Sequence, residues 1–74
     1  MENTTEKQIE LLKLCNEKGM NFETSPKHGL IYVLKFEEYS SEILFSEYCC
    51  IDNKNALDNL DKLIEKVKNY ENKH

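Results

Sequence analysis

Apolar and polar residues alternate along this chain with two spacings, one typical of helices and the other of strands. Thr5 and Gln8 have the spacing of a capping box, and apolar residues then recur at helical spacing as far as Gly19. Gly19 favours a helix end because glycine readily adopts left-handed backbone angles. The pattern predicts a first helix over residues 5–18, with an inward stripe of Ile9, Leu11, Leu12, Leu14 and Cys15.

Three short segments that follow have the composition of strands. The first covers residues 20–24, and the second covers 30–36 after a turn at 25–29, where Pro26 and Gly29 favour chain reversal. The third covers 42–51 and is rich in β-branched and aromatic residues. The short connections predict an antiparallel meander.

The second strand is apolar on both faces. Leu30, Tyr32, Leu34 and Phe36 share one face, whereas Ile31 and Val33 share the other with Lys35. Whichever face the helices leave open therefore keeps apolar residues, and such a surface suits a homodimer or another partner. The residues named for the open face are Ile31 and Val33, with either Leu44 and Tyr48 or Ile43 and Phe45 on the next strand. The residues favoured on the covered face are Ile43, Phe45, Cys49 and Ile51.

The last helix has the strongest periodicity in the chain. Asp52 is the expected N-cap, and apolar residues then recur at 3.6-residue spacing as far as about Tyr70. The predicted fold class is α+β, in the order α-β-β-β-α, with a three-stranded antiparallel sheet and both helices on one face. We expect a single domain over residues 1–74, frayed at 1–4 and 71–74.

Charge is unevenly distributed along the sequence. The net charge is −4, and residues 37–61 hold seven acidic residues against one lysine. Acidic residues near a helix N-terminus interact favourably with the helix dipole, which accounts for Asp52 and Asp58. Glu37, Glu38 and Glu42 lie at an expected hairpin tip, where that explanation does not apply.

This acidic segment has two interpretations. It is either a solvated loop that keeps a small protein soluble, or a surface that docks on a basic partner such as a nucleic-acid-binding protein. We adopt the second interpretation, a protein-binding inhibitor or adaptor rather than an enzyme. The predicted partner-binding residues are Glu37, Glu38, Tyr39, Glu42, Glu47, Tyr48, Asp58 and Asp61.

The residues capable of chemistry show no pattern typical of catalysis or metal binding. Adjacent residues on a strand point to opposite faces, so Cys49 and Cys50 cannot readily share a zinc ion. His28 lies in a turn, and no serine has the flanking residues of a catalytic elbow. We expect no cofactor and no metal. No apolar stretch has the length of a membrane span or a signal peptide, which predicts a cytoplasmic protein with reduced cysteines.

The element order resembles the double-stranded-RNA-binding domain. The segment 11–19 resembles the first helix of that family, and Pro26-Lys27-His28 resembles the turn that reaches an RNA minor groove there. In the family, a lysine cluster at the start of the last helix holds phosphates. Here the corresponding region, residues 52–58, has one lysine among acidic residues, so we do not expect nucleic-acid binding.

Two alternatives stay open beside the inhibitor hypothesis. One is a divergent RNA-binding module that uses Lys18, Lys27, His28 and Lys54, and the other is a homo-oligomer formed through the open sheet face. In size, charge and element order the chain is also similar to small acidic phage proteins, including some anti-CRISPR inhibitors. That resemblance implies a compact domain whose acidic face blocks a nucleic-acid-binding site.

Overall fold

The chain folds into a three-stranded antiparallel sheet with two helices packed on one face, which confirms the predicted class and element order. The computed structural model describes residues 4–70. The fraying expected for residues 1–3 and 71–74 lies outside the described residues. In chain order the elements are α1 (Thr5–Lys18), β1 (Asn21–Ser25), β2 (Leu30–Phe36), β3 (Ile43–Cys50) and α2 (Ala56–Asn69).

Helix α1 spans the predicted residues 5–18, but its N-cap is Thr4 and not Thr5. Thr4, which the sequence places in a frayed segment, is the N-cap, and its hydroxyl accepts a 2.8 Å hydrogen bond from the side-chain amide of Gln8. Gly19 ends the helix as expected, with φ of 69°. The buried stripe is narrower than predicted, because Leu11 and Cys15 are buried whereas Ile9 and Leu12 are exposed.

Helix α2 begins at Ala56, so the prediction that Asp52 caps it is wrong. The amide of Ile51 donates to the Gly29 carbonyl at 2.8 Å, which extends strand pairing beyond β3. A short turn follows, in which the Asn53 side chain accepts a hydrogen bond from the Asn55 amide. The predicted apolar stripe is confirmed, and its buried members are Ala56, Leu60, Leu63, Ile64 and Val67.

Strand β2 lies in the centre of the sheet, with β1 and β3 at the two edges. Ile31 pairs with Cys49 and Val33 with Glu47, so these four side chains share one face. Ile31 and Val33 are fully buried in the core with Leu60 of α2. The prediction that Ile31 and Val33 lie on the open face is therefore wrong.

Lys35 explains why the sequence misidentifies the covered face. This lysine shares a face with Ile31 and Val33, and a charged residue ordinarily marks the solvent side of a strand. In the folded protein Lys35 pairs with Phe45 on the covered face, and its amine donates to the Lys18 carbonyl, at the end of α1, at 2.8 Å.

The predicted inward set of β3 is correct except for one residue. Phe45, Cys49 and Ile51 belong to or pack against the core. Ile43 pairs with Phe36 beyond an irregularity in the ladder and is 57% exposed. The register shift moves Ile43 to the open side, which period-2 alternation cannot anticipate.

The two helices run in the same direction. Lys7 forms a 2.7 Å ion pair with Asp61, whereas Lys18, at the end of α1, donates to the carbonyls of Lys68 and Tyr70 at the end of α2. Both helix N-termini therefore lie near the β1–β2 turn, and both C-termini lie near the β2–β3 hairpin. The acidic hairpin and the start of α2 are at opposite ends of the sheet.

Candidate functional site

The hairpin between β2 and β3 is organised by the Glu37 carboxylate. Its Oε2 accepts hydrogen bonds from the amides of Tyr39 and Ser40 at 2.8 Å and 2.7 Å. The same two amides, by favouring the charged form, lower the pKa of Glu37. Glu37 therefore has a structural role in the hairpin, which the sequence does not indicate.

The rest of the hairpin is exposed to solvent. Glu38 and Glu42 are exposed, and Tyr39 is 89% exposed. Ser41 has a φ of 61°, a left-handed conformation that closes the turn while the neighbouring side chains point outward. Two carboxylates and one tyrosine ring are thus available at the tip of the hairpin.

Three of the predicted partner-binding acids lie elsewhere and are paired with lysines. Glu47 is on the covered face and contacts Lys66 at 2.9 Å. On α2, Asp58 contacts Lys62 at 3.1 Å. Such exposed pairs contribute roughly 0–1 kcal/mol, but they balance the local charge.

Asp61, the third of these acids, is bonded to Lys7 of α1. The hydrogen bond from Lys7 to this carboxylate, together with its charge, raises the pKa of Lys7. Asp58 and Asp61 both lie on the helix layer, toward the end of the sheet opposite the hairpin. The eight residues therefore do not form one surface, and the binding role of Glu47, Asp58 and Asp61 stays a prediction.

The face of the sheet away from the helices is apolar. We call it the open face, and its large side chains are Leu30, Tyr32, Leu34 and Phe36 from β2 and Ile43, Leu44 and Tyr48 from β3. Tyr48 is 63% exposed, and its ring centroid lies 6.1 Å from that of Tyr32. Contiguous apolar surface of this kind marks interaction sites in soluble proteins.

The border of the open face is acidic. Glu23 of β1 pairs with Tyr32 and lies beside the tyrosines, while Glu38 and Glu42 stand at the hairpin end. Within the described strands the sole lysine is Lys35, which lies on the covered side. We refer to Glu23, Glu38 and Glu42 as the acidic rim.

The sequence predicts Tyr48 as a partner-binding residue but does not indicate most of this surface, and the binding role of Tyr48 stays a prediction. Leu30, Leu34 and Phe36 alternate along β2, which did indicate that they share a face. Ile31 pairs with Cys49, so the two side chains lie on the same face of the sheet. Because Cys49 is predicted to face inward, and does so, this pairing assigns Ile31 to the covered face and leaves Leu30, Leu34 and Phe36 on the open face. Glu23 was missed because β1 is short and polar.

The cationic residues of the RNA-binding alternative are divided between two ends of the molecule. Lys27 and His28 lie in the β1–β2 turn, and Lys54 lies in the loop before α2, which the Ile51–Gly29 hydrogen bond holds beside that turn. Lys18 is at the opposite end, where it binds carbonyl groups of α2. The structure therefore does not bring these four residues together.

The cysteines are free thiols. Burial raises the pKa of Cys15, and burial together with the neighbouring Cys50 raises the pKa of Cys49 to about 11. A raised pKa disfavours the thiolate, the form that attacks electrophiles and binds metals. Among residues 4–70, no three histidine, cysteine or acidic residues are grouped so that they could hold a metal ion.

No helix in the described part of the chain is both long enough and apolar enough to cross a membrane. No protein-family model, no curated protein and no solved structure matches this chain. The resemblances to the double-stranded-RNA-binding domain and to small acidic phage inhibitors stay predictions. The open face and its acidic rim are the features from which a function can be inferred.

Proposed function

We propose that this protein binds another protein through the open face, and that the partner presents an apolar surface bordered by basic residues. The observation that carries the proposal is the combination of seven large apolar side chains with an acidic rim on a surface without lysine within the described strands. A partner with an apolar surface bordered by basic residues would complement both the apolar side chains and the acidic rim.

Apolar contact supplies most of the affinity in this proposal. Tyr48 and Phe36 are 63% and 43% exposed, and large aromatic residues near the centre of an interface are frequent binding hot spots. Tyr39, 89% exposed at the tip of the hairpin between Glu38 and Glu42, adds a further aromatic ring available for contact. Their burial would remove apolar area from water, which favours association.

The acidic rim supplies orientation and selectivity. Carboxylates at the border of an interface accelerate encounter with a basic partner and repel acidic proteins. Basic surfaces bordered by apolar residues are common on proteins that bind nucleic acid, so occupation of such a surface would inhibit the partner. An inhibitor or adaptor, including one of the phage type, is the form of this function that we favour.

Affinity capture from a lysate of the source organism, followed by mass spectrometry, tests the proposal. The immobilised baits are the natural protein, Phe36→Ala/Tyr48→Ala, and Glu38→Lys/Glu42→Lys. We expect both variants to recover about tenfold less of a basic protein that the natural bait retains, which corresponds to roughly 1.4 kcal/mol of binding free energy. High salt should weaken capture by the natural bait.

Glu17→Lys/Glu65→Lys is the matched control, because it changes the net charge equally at exposed positions of the two helices. It should capture the partner as well as the natural protein does. Equal capture by all four baits, or loss of the partner with the control alone, would place the interface elsewhere and contradict the proposal. Circular dichroism of each bait verifies that it is folded.

A further inference from the structure

Strand β3 presents backbone hydrogen-bonding groups at an edge of the sheet. The Ile51–Gly29 hydrogen bond and the β2–β3 register direct the amides and carbonyls of Glu47 and Cys49 toward β2. Those of Ser46, Tyr48 and Cys50 therefore point away from the sheet. The hydrogen bond from the Asn59 side chain to the Cys50 carbonyl, at 3.0 Å, agrees with this direction.

This edge lacks three common protections against strand pairing, namely short length, lysine and proline. Its inward charge, Glu47, is paired with Lys66, and its ladder irregularity lies at Ile43, outside residues 46–50. Natural edge strands are commonly short, or carry lysine or proline. The opposite edge, β1, has five residues and is followed directly by Pro26, whereas β3 has eight residues with neither lysine nor proline. Within residues 4–70, the outward backbone groups of Ser46 and Tyr48 have no hydrogen-bond partner.

We propose that β3 pairs antiparallel with β3 of a second copy of this chain, about a two-fold axis at Tyr48. The two sheets then form one continuous six-stranded sheet. The inference goes beyond the proposed function and does not rest on it, because pairing uses the edge of the sheet and leaves both open faces exposed.

The side chains determine this register. An axis at Tyr48 places Ser46 opposite Cys50 of the second copy and extends the Tyr32–Tyr48 ring pair across the interface. An axis at Glu47 would instead place two glutamates directly opposite each other, which is destabilising. The Cys50 carbonyl has two lone pairs, so it can accept from the second copy as well as from Asn59.

Charge favours a second copy as the occupant of this edge. About six residues at roughly 3.3 Å each separate Tyr48 from Glu42, so an axis at Tyr48 directs the two acidic hairpins to opposite ends of the dimer. Contact through the open faces would instead bring two acidic rims together. Beside β3, a groove of about 360 Å³ is lined by Glu47, Lys62 and Lys66, and its mixed charges suit a two-fold contact with itself.

Light scattering across a concentration series tests the pairing on the full chain. We expect the mass to approach twice the chain mass of 8.8 kDa as concentration rises. Tyr48→Lys, which places two lysines opposite each other at the axis, should shift the midpoint of dimerisation at least about tenfold upward. Asn21→Lys is the control, because Asn21 is an exposed residue on the other edge strand. It should leave the midpoint unchanged.

Cross-linking tests the register. Paired residues on antiparallel strands have Cα atoms about 5.5 Å apart, within the range of a disulfide, whereas four positions along one strand are about 13 Å apart. Mild oxidation of Ser46→Cys should therefore link the introduced thiol to Cys50 of the second copy. Asn21→Cys, with its thiol at the opposite edge, should not form this link.

Two results would overturn the inference. One is a folded natural protein that stays monomeric at the highest concentration, and the other is a dimer that Ser46→Cys does not cross-link to Cys50. A dimer with the expected cross-link and normal dimerisation of the Asn21→Lys control supports it. Loss of partner capture in the previous experiment has no bearing on this result, so the two proposals fail separately.

Discussion

The two faces of the sheet are built from the same strands but have different surroundings. On the covered face, Ile31 and Val33 are fully buried beneath both helices. On the open face, Leu34 and Phe36 come from the same strand and are equally apolar, yet no element of the described chain covers them. Hydrophobicity therefore does not distinguish core from surface in β2; the position of the helices does.

The two sides of the sheet also differ in the distribution of charge. Most lysines of the described chain lie on the helix side, where several bind carboxylates or backbone carbonyls. The open face has acidic residues at its border and no lysine within the described strands. A side with internally balanced charge is suited to maintaining the fold, whereas an apolar side with unbalanced charge is suited to a partner.

The largest expected effect separates the two faces directly. Ile31→Ala should destabilise the protein by about 2–5 kcal/mol, because it removes buried methyl groups and leaves a cavity. Ile43→Ala is the same chemical change at a 57% exposed position of the open face. It should therefore change the free energy of unfolding by no more than about 0.5 kcal/mol. Urea denaturation measures both. Equal losses would mean that the open face also contributes to the core.

The last helix and the element order could be predicted from the sequence because their signals are local. The apolar positions of α2 recur at helical spacing, and Gly19 ends α1 where its backbone freedom indicates. The buried face of β2 could not be predicted, since both of its faces are apolar and the residue that decides between them, Lys35, bonds to a carbonyl distant in sequence.

The candidate site could be predicted only in part, for a related reason. The hairpin acids and Tyr48 were recognisable as exposed residues from composition and alternation. Which acids lie together depends on the directions of the two helices and on ion pairs between distant residues, such as Lys66 with Glu47. The structural role of Glu37 depends on the geometry of one turn, which residue type alone does not specify.

A smaller effect is expected where a lysine of the helix side supports the fold. Lys18 donates to the carbonyls of Lys68 and Tyr70 at the C-terminus of α2, where a positive charge also favours the helix dipole. Lys18→Met keeps most of the alkyl stem and should cost about 1 kcal/mol in the free energy of unfolding.

Lys13→Met is the control for this variant, because Lys13 is exposed on the same helix. In urea denaturation, its free energy of unfolding should differ from that of the natural protein by no more than about 0.5 kcal/mol. If the two variants were equally stable, the carbonyl contacts of Lys18 would contribute nothing measurable. The helix side would then be less dependent on its lysines than the comparison of the two faces implies.

The smallest effect concerns the hairpin, where one acid has a structural role and its neighbours do not. The pKa of Glu37 is lowered in the folded state from its ordinary value of 4.5, because the amides of Tyr39 and Ser40 stabilise the carboxylate. The stabilisation is complete above the unfolded-state pKa and is lost as pH falls through the lower folded-state pKa. Acid should therefore reduce the unfolding free energy more in the natural protein than in Glu37→Gln.

Glu38→Gln distinguishes this contribution from a general effect of hairpin charge. It removes one negative charge from the same turn but leaves the hydrogen bonds to Glu37 in place. Urea denaturation at a series of acidic pH values should show the full acid-dependent loss in Glu38→Gln and a smaller loss in Glu37→Gln. The same loss in all three proteins would mean that the Glu37 contacts do not stabilise the turn. Glu37 would then join Glu38 and Glu42 as an acid free to meet a partner, and the acidic rim would be larger than the structure indicates.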